Sequence, residues 1–157
     1  MPAGNTYEAI ATTTLGSATA SVTYSSLGAY TDIVIIFNGV ADNNLSLRFN
    51  GDTGSNYSVT RIQGDSSSAT STRFAPITSM YGPYAVSQQI SIWQVMNYSN
   101  STTNKTALAR GGGAGTATEA YVGLWRNTAA ITSISVLSQS GNMATGSTIS
   151  LYGIKAA

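Results

Sequence analysis

The chain has 157 residues, of which 42% are hydrophobic and only 8% are charged, with a net charge of +1 at neutral pH. It contains no His and no Cys, which excludes an imidazole base, a thiolate nucleophile and zinc or haem sites of the usual kinds. The near-zero net charge gives no electrostatic attraction to nucleic acid or to an anionic membrane, so we expect a protein that is not an enzyme and needs no cofactor.

Alternating apolar and polar residues recur along the chain, and no segment has the 3.6-residue period of an amphipathic helix. Short segments of this kind, separated by Gly, Asn, Asp and Ser, are typical of a β-sandwich or barrel. The predicted strands, in chain order, are 7–12, 19–24, 32–38, 45–49, 57–62, 90–96, 105–110, 121–125, 131–137 and 149–154. The length suits one domain, which we assign to residues 1–157.

Turn and loop signals divide these strands. Asn38-Gly39 and Asn50-Gly51 predict tight turns, because both residue types tolerate a positive φ. The prolines at 76 and 83 disfavour a strand between them. Three longer segments are predicted to be irregular: 64–72, 75–85 and 111–118.

Two motifs match catalytic or ligand-binding patterns, and each has a simpler interpretation. Asp52-Thr53-Gly54 matches the aspartic-protease tripeptide, but a tight turn after the strand ending at Phe49 explains the same residues. The glycine run at 111–115 could cradle a phosphate, yet it lacks the Gly-Lys-Ser/Thr ending and a following helix. The six carboxylates are scattered, and none lies in a sequence that resembles a calcium loop. We therefore predict no catalytic, cofactor or metal site.

Aromatic residues suggest either core packing or binding. Trp93 and Trp125 lie within strand patterns, where they can serve as buried anchors or as exposed platforms for sugars. The segment 77–84 is apolar and nearly uncharged, and Tyr and Met are enriched in the cores of interfaces. We predict a protein interface at Met80, Tyr81 and Tyr84, with a loop folded over one end of the sandwich as the alternative.

The low charge also bears on assembly. A soluble monomer usually has about a quarter to a third of its surface charged, which this chain cannot reach. The segments 90–96 and 121–125 are apolar on both faces, as expected for strands covered by a partner. We therefore expect a stable homo-oligomer.

The N-terminal residues show no basic segment followed by an apolar stretch of signal-peptide length. The longest strongly apolar run, Ile33–Phe37, is far shorter than the ~20 residues of a spanning helix. We expect synthesis in the cytoplasm without membrane insertion. The Ser- and Thr-rich composition nevertheless suits an extracellular particle, and a virion assembled in the host cytoplasm satisfies both observations.

Three segments of the chain resemble small structural proteins of tailed bacteriophages, frequently those of cyanophages. They are Phe49–Tyr57, Trp125–Ile134 and Gly146–Ile154, the last with a Leu-Tyr-Gly-Ile strand after a Gly-Ser turn. The resemblance implies a jelly-roll-like antiparallel sandwich of about eight to ten short strands. It also implies a capsid decoration (cement) protein, often trimeric, that binds the major capsid protein on the outer capsid surface of the virion.

The resemblance leaves a second function open, a tail-fibre or receptor-binding module that recognises host surface polysaccharide. A single compact domain without a coiled-coil or fibre repeat favours decoration of the capsid. A hydrolase acting on surface glycan is a third possibility, but its carboxylate pair is hard to assemble from six scattered acids.

Overall fold

The computed structural model describes residues 6–113 and 117–155, which form twelve β-strands and no helix. The strands are β1 Tyr7–Thr14, β2 Ser21–Tyr24, β3 Asp32–Gly39, β4 Asn44–Phe49, β5 Tyr57–Gly64, β6 Ala69–Ile77, β7 Met80–Tyr84, β8 Gln89–Val95, β9 Lys105–Gly113, β10 Thr118–Trp125, β11 Ile134–Ser138 and β12 Thr148–Ile154. All ten strands predicted from the alternating pattern are present. In the part of the chain that the structure describes, no helix is long and apolar enough to cross a membrane.

The strands form two antiparallel sheets. The larger has eight strands in the order β1-β12-β3-β8-β9-β10-β5-β6, and the smaller has four in the order β2-β11-β4-β7. This confirms the all-β antiparallel sandwich. The finer jelly-roll assignment is not confirmed and stays a prediction.

The core lies between the sheets, where inward-facing residues of both meet in one hydrophobic cluster. Phe49 at the end of β4 contacts Trp125 of β10 and Tyr57 of β5, with ring centroids 5.6 and 6.2 Å apart. Trp93 of β8 has no exposed surface, and Trp125 is 1% exposed. Buried rings of this size contribute much of the apolar area removed from water, so the interpretation of both tryptophans as core anchors is confirmed.

The turn at Asn50-Gly51 forms as predicted but joins two sheets. Asn50 and Gly51 have φ values of 51° and 66°, and the Asp52 N–H donates to the Phe49 carbonyl over 2.9 Å. Two positive φ values in succession are those of a type I′ turn. The turn sends the chain from β4 in the small sheet to β5 in the large one. The tight turn predicted at Asn38-Gly39 does not form, because both residues pair within β3. The chain crosses from β3 to β4 through residues 40–43.

The expectation that 75–85 is irregular was wrong, because the segment contains the end of β6 and all of β7. Both are edge strands, and each proline lies where the pairing register shifts, Pro76 opposite the step from Tyr57 to Val59 in β5. Pro83 lies at the corresponding shift between β4 and β7. An edge strand at a bulge tolerates proline, since the missing N–H has no ladder partner to lose.

The loops predicted at 64–72 and 111–118 are shorter than expected. β5 continues to Gly64 and β6 begins at Ala69, so four residues connect them. β6 escaped prediction because its first residues are exposed and polar, without apolar alternation. The glycines at 111–113 belong to β9 and pair with β8 and β10, since backbone ladders need no side chain. Residues 114 and 115 of the glycine run lie outside the described residues.

Candidate functional site

The centre of the outward side of the eight-stranded sheet carries large exposed apolar side chains. We call its central residues, on β3, β8, β9, β10 and β5, the outer face. Leu108 lies opposite Val122 across the β9–β10 ladder, and their exposed fractions are 43% and 53%. Ile62 and Ile90 are exposed to 60% and 56%. Solvated faces of antiparallel sheets are usually polar, so this face has the chemistry of a covered surface.

Arg110 lies within this face, and Asp65 lies at one end of it. Arg110 lies between Ile92 on β8 and Ala120 on β10 in the ladder register. Asp65 follows the end of β5, and both charged residues line a trough of about 1000 Å³ together with Ile62 and Ile90. The trough is thus lined mainly by aliphatic residues and glycines, with opposite charges at separate points.

The carboxylate of Asp65 is held ionised by its own turn. Its Oδ1 accepts hydrogen bonds from the backbone N–H groups of Ser67 and Ser68, over 2.8 and 2.7 Å, and from both hydroxyls. The Ser67 N–H is the largest cause of the lowered pKa of Asp65. All four bonds end on Oδ1.

The structure separates the three residues of the interface predicted in segment 77–84. Met80 is 2% exposed and packs over Gly123 in the core. The Tyr81 ring is partly buried and contacts Phe74, with centroids 5.5 Å apart. Tyr84 is 40% exposed. A partner could therefore reach Tyr84 and the open part of Tyr81, whereas the Met80 thioether is enclosed. We call the surface formed by Phe74, Tyr81 and Tyr84 the aromatic end.

A buried polar cluster that sequence reasoning missed lies behind the aromatic end. Glu119 is 8% exposed and accepts hydrogen bonds from the Tyr84 N–H at 2.9 Å and the Tyr121 hydroxyl at 3.0 Å. The Arg61 guanidinium lies 3.7 Å from the same carboxylate. Burial first, and then the Glu119 charge, raises the pKa of Tyr121. The alternation of β10 places Glu119 inward, and this is the only feature of the sequence that could have indicated the cluster.

This cluster opens into a polar pocket of about 780 Å³ bordered by Asn44, Gln63 and Tyr84. Amide, guanidinium and carboxylate groups beside an exposed ring are the groups that hydrogen-bond and stack on sugars. The Glu119 carboxylate is occupied by Tyr84, Tyr121 and Arg61, so the pocket offers polar contacts rather than an unpaired acid.

Asp52 has a structural role in its turn. Its carboxylate accepts from the Gly54 N–H at 2.8 Å, from the Asn56 amide at 2.9 Å and from the Trp125 indole at 2.7 Å. Burial acts to raise the pKa of Asp52, but hydrogen bonds from Trp125, Asn56 and Gly54 outweigh it and lower the pKa. The carboxylate thus ties the turn to β10, as the turn interpretation of Asp52-Thr53-Gly54 expects.

The other carboxylates are engaged in the same manner. Asp32 accepts from the Asn97 N–H at 2.9 Å, and Asp42 accepts from the Asn142 N–H at 2.8 Å. Glu8 pairs with Lys155 and accepts from Tyr30. Within residues 6–113 and 117–155, no group of three acidic residues could hold a metal ion. The acids therefore act as local acceptors that hold loops and strand ends together.

Comparison with protein-family models, with curated proteins and with solved structures finds no match to this chain.

Proposed function

We propose that the chain is a structural protein of a virion, a decoration protein that binds the major capsid protein on the outer capsid surface and stabilises the head. The observation that carries this proposal is the outer face, on which four large apolar side chains are 43–60% exposed. Contiguous exposed apolar surface on a folded domain marks a protein interaction site. The chain then acts through extended contacts rather than through a reaction.

The occupied carboxylates support the same proposal. Each of the six acids accepts a hydrogen bond or pairs with a cation, and the chain has no imidazole or thiol. General acid–base work needs a group that is free to exchange a proton with substrate. We therefore infer that the chain is not an enzyme, and the resemblance to phage structural proteins supplies the setting.

We assign capsid contact to the aromatic end. Tyrosine supplies large contact area with little rotamer entropy to lose and is enriched at interfaces. The Tyr84 backbone is anchored through its N–H to Glu119, so the main chain that carries the exposed ring is fixed at this position. The outer face adds the larger apolar contact area with the same partner.

The experiment is to locate and count the chain on purified particles of the phage that encodes it. Immunogold labelling and peptide mass spectrometry should find it on heads, in copy numbers comparable to those of the major capsid protein. Particles from which it has been deleted should release DNA at a lower temperature than complete ones. Absence from particles, or equal heat resistance, would contradict the decoration role.

The polar pocket favours the second function, a tail-fibre or receptor-binding module. Its amide, guanidinium and Tyr84 ring are suited to a neutral or amino sugar. In that case a handful of copies would label the tail tip, and Arg61→Ala would weaken binding to the host polysaccharide. Location on the particle therefore distinguishes the two functions directly.

A further inference from the structure

We propose that the polar pocket beside Tyr84 binds an uncharged pyranose sugar, which lies against the Tyr84 ring and hydrogen-bonds to Arg61 and Gln63. The proposal rests on the second function given above and names its ligand as a hydroxyl-rich sugar without a carboxylate or an amine. Three features of the pocket carry it, namely its place at the edge of the smaller sheet, the unpaired polar atoms on its wall and the balance of its charges.

The pocket lies where the larger sheet extends past the smaller one. The smaller sheet ends at β7, which lies over β10, since Met80 packs on Gly123. β5 follows β10 in the larger sheet and so lies beyond this edge. Its residues Arg61 and Gln63 alternate with the exposed Ile62 and point to the inner side of the sheet. Both are part-exposed and line the pocket, so the fold leaves a polar surface open at this point.

Two polar atoms on this wall have unmade hydrogen bonds. In the part of the chain that the structure describes, the enclosed Arg61 Nε and Gln63 Oε1 are both without a partner. The Arg61 guanidinium also lies 3.7 Å from Glu119, which is longer than a hydrogen bond. Buried polar atoms in proteins are nearly always paired, so these two indicate where the polar groups of a ligand belong.

Hydroxyl groups are suited to both atoms. The Arg61 N–H can only donate and the Gln63 carbonyl oxygen can only accept, whereas a hydroxyl does both. The two residues are neighbours on one side of β5, ~6.8 Å apart along the strand, a separation that the hydroxyls of one sugar ring can bridge. Part-exposed side chains of this length change rotamer within nanoseconds, so both atoms can turn toward the ligand.

The Tyr84 ring supplies an apolar surface beside these polar groups. It is 40% exposed and borders the pocket, and the backbone N–H of the same residue donates to the buried Glu119 over 2.9 Å. An aromatic face packs against the C–H groups of a sugar ring, whose hydroxyls then reach polar partners around it. The pocket volume of about 780 Å³ lies within the ~300–1,000 Å³ typical of small-ligand sites.

The charges around the pocket favour an uncharged ligand. The charged residues that line it are one cation, Arg61, and two acids, Asp65 and Glu119, so the lining is net negative and repels an acidic sugar. An amine would compete with Tyr84 and Tyr121 for the Glu119 carboxylate and would lie beside the Arg61 cation. The Asp65 Oδ1 is already occupied by its own turn. A sugar without charge meets none of these costs.

Tyr84 belongs both to this pocket and to the aromatic end. A partner that covers the Tyr84 ring therefore also closes the pocket. Sugar binding and capsid contact through the aromatic end exclude each other, so the free chain should bind sugar and a chain held to a capsid by this end should not.

The test is saturation-transfer difference NMR of the purified chain with single sugars. The uncharged sugars are the methyl glycosides of glucose, galactose, mannose, rhamnose and N-acetylglucosamine, and the charged ones are glucosamine and glucuronic acid. At least one uncharged sugar should bind, with a dissociation constant at least about tenfold lower than those of both charged sugars. No signal from any uncharged sugar, or equal affinity for a charged one, would overturn the proposal.

Variants show whether binding occurs in this pocket. Tyr84→Ala and Gln63→Ala should each raise the dissociation constant at least about fivefold, because each removes a ligand contact. Tyr84→Phe keeps the ring and should bind within about twofold of wild type. Tyr7→Ala, which removes a 60% exposed tyrosine on the opposite edge strand β1, is the matched control and should bind as wild type.

Fluorescence of the buried Trp93 and Trp125 checks that each variant is folded. A folded Tyr84→Ala or Gln63→Ala protein with wild-type affinity would place the sugar elsewhere and contradict the site.

Location and binding together separate this site from the function on which it rests. A chain that binds an uncharged sugar but labels only heads keeps the site and overturns the receptor-binding function. A chain at the tail tip that binds none of the uncharged sugars overturns the site alone.

Discussion

The Trp125 indole donates a 2.7 Å hydrogen bond to Asp52 Oδ2, which joins the end of β10 to the turn between the two sheets. Asp52 belongs to the connection from β4 to β5, and the Trp125 ring stacks on Tyr57 at the start of β5 with centroids 6.2 Å apart. One carboxylate thereby orients a core ring and closes a loop. The tripeptide that matches a protease motif serves as an anchor of the sandwich.

Replacing Asp52 with Ala should lower the free energy of unfolding by about 2 kcal/mol, because it removes the acceptor of the Trp125, Gly54 and Asn56 donors. Urea denaturation followed by tryptophan fluorescence measures this, since Trp125 is buried in the native state. Thr53→Ala changes an exposed neighbour and should be nearly neutral. Equal stability of the Asp52→Ala and Thr53→Ala variants would contradict the anchoring role of the Asp52 carboxylate.

Stability should be level between about pH 5 and 9 and fall on both sides, because no His titrates in between. The lowered pKa of Asp52 contributes stability above its usual 3.8, which is lost as pH falls through the lower folded value. Burial raises the pKa of Tyr57 to about 12. The stability that the neutral Tyr57 hydroxyl contributes is therefore present below pH ~10 and is lost as pH rises toward 12. Burial lowers the pKa of Lys105, and this shift opposes the loss of stability at alkaline pH.

Urea midpoints measured from pH 3 to 11 test this profile. In Asp52→Asn the acid limb should become shallower, because the variant has no carboxylate to protonate at that position. A stability maximum or transition within pH 5–9 would be inconsistent with the expected plateau.

Gly51→Ala should destabilise the chain by about 1 kcal/mol, because a Cβ penalises the positive φ that the turn requires. Nothing lies within 4 Å of the added Cβ, so the cost is conformational and not steric. Gly16→Ala is the control, since its Cβ would also meet open space and its φ is not positive. Thermal denaturation should separate the two variants, and a Gly51→Ala protein as stable as wild type would argue against the turn geometry.

Gly82→Ala should cost about 2 kcal/mol, because β7 packs directly on the buried Trp93 ring. A Cβ at Gly82 would lie 2.5 Å from Trp93 Cζ2, and overpacking against a rigid ring displaces backbone. Gly64→Ala, where the Cβ meets nothing within 4 Å, should change stability little. Equal urea midpoints for Gly82→Ala and Gly64→Ala would show that Gly82 does not pack directly on the Trp93 ring.

The ten strands with apolar alternation were predictable because alternation reports burial on one side of a sheet. β6 and β7 were not predictable, because their sequences lack apolar alternation or contain proline and are compatible with a strand only at the edge of a sheet. Pro76 and Pro83 oppose a strand in isolation and are compatible with one at an edge bulge. Glu119 was overlooked for a related reason, since a single inward acid among apolar residues becomes meaningful only beside Tyr121 and Arg61.

The sequence by itself determined the all-β class, the absence of imidazole and thiol chemistry, the turn at Asn50-Gly51 and the apolar character of β8 and β10 on both faces. These are local properties of composition and period. Only the tertiary structure decided which of those faces is covered and which lies outward, and that Arg110 and Asp65 line the same trough. Such facts depend on strand order and register, which join residues far apart in the chain.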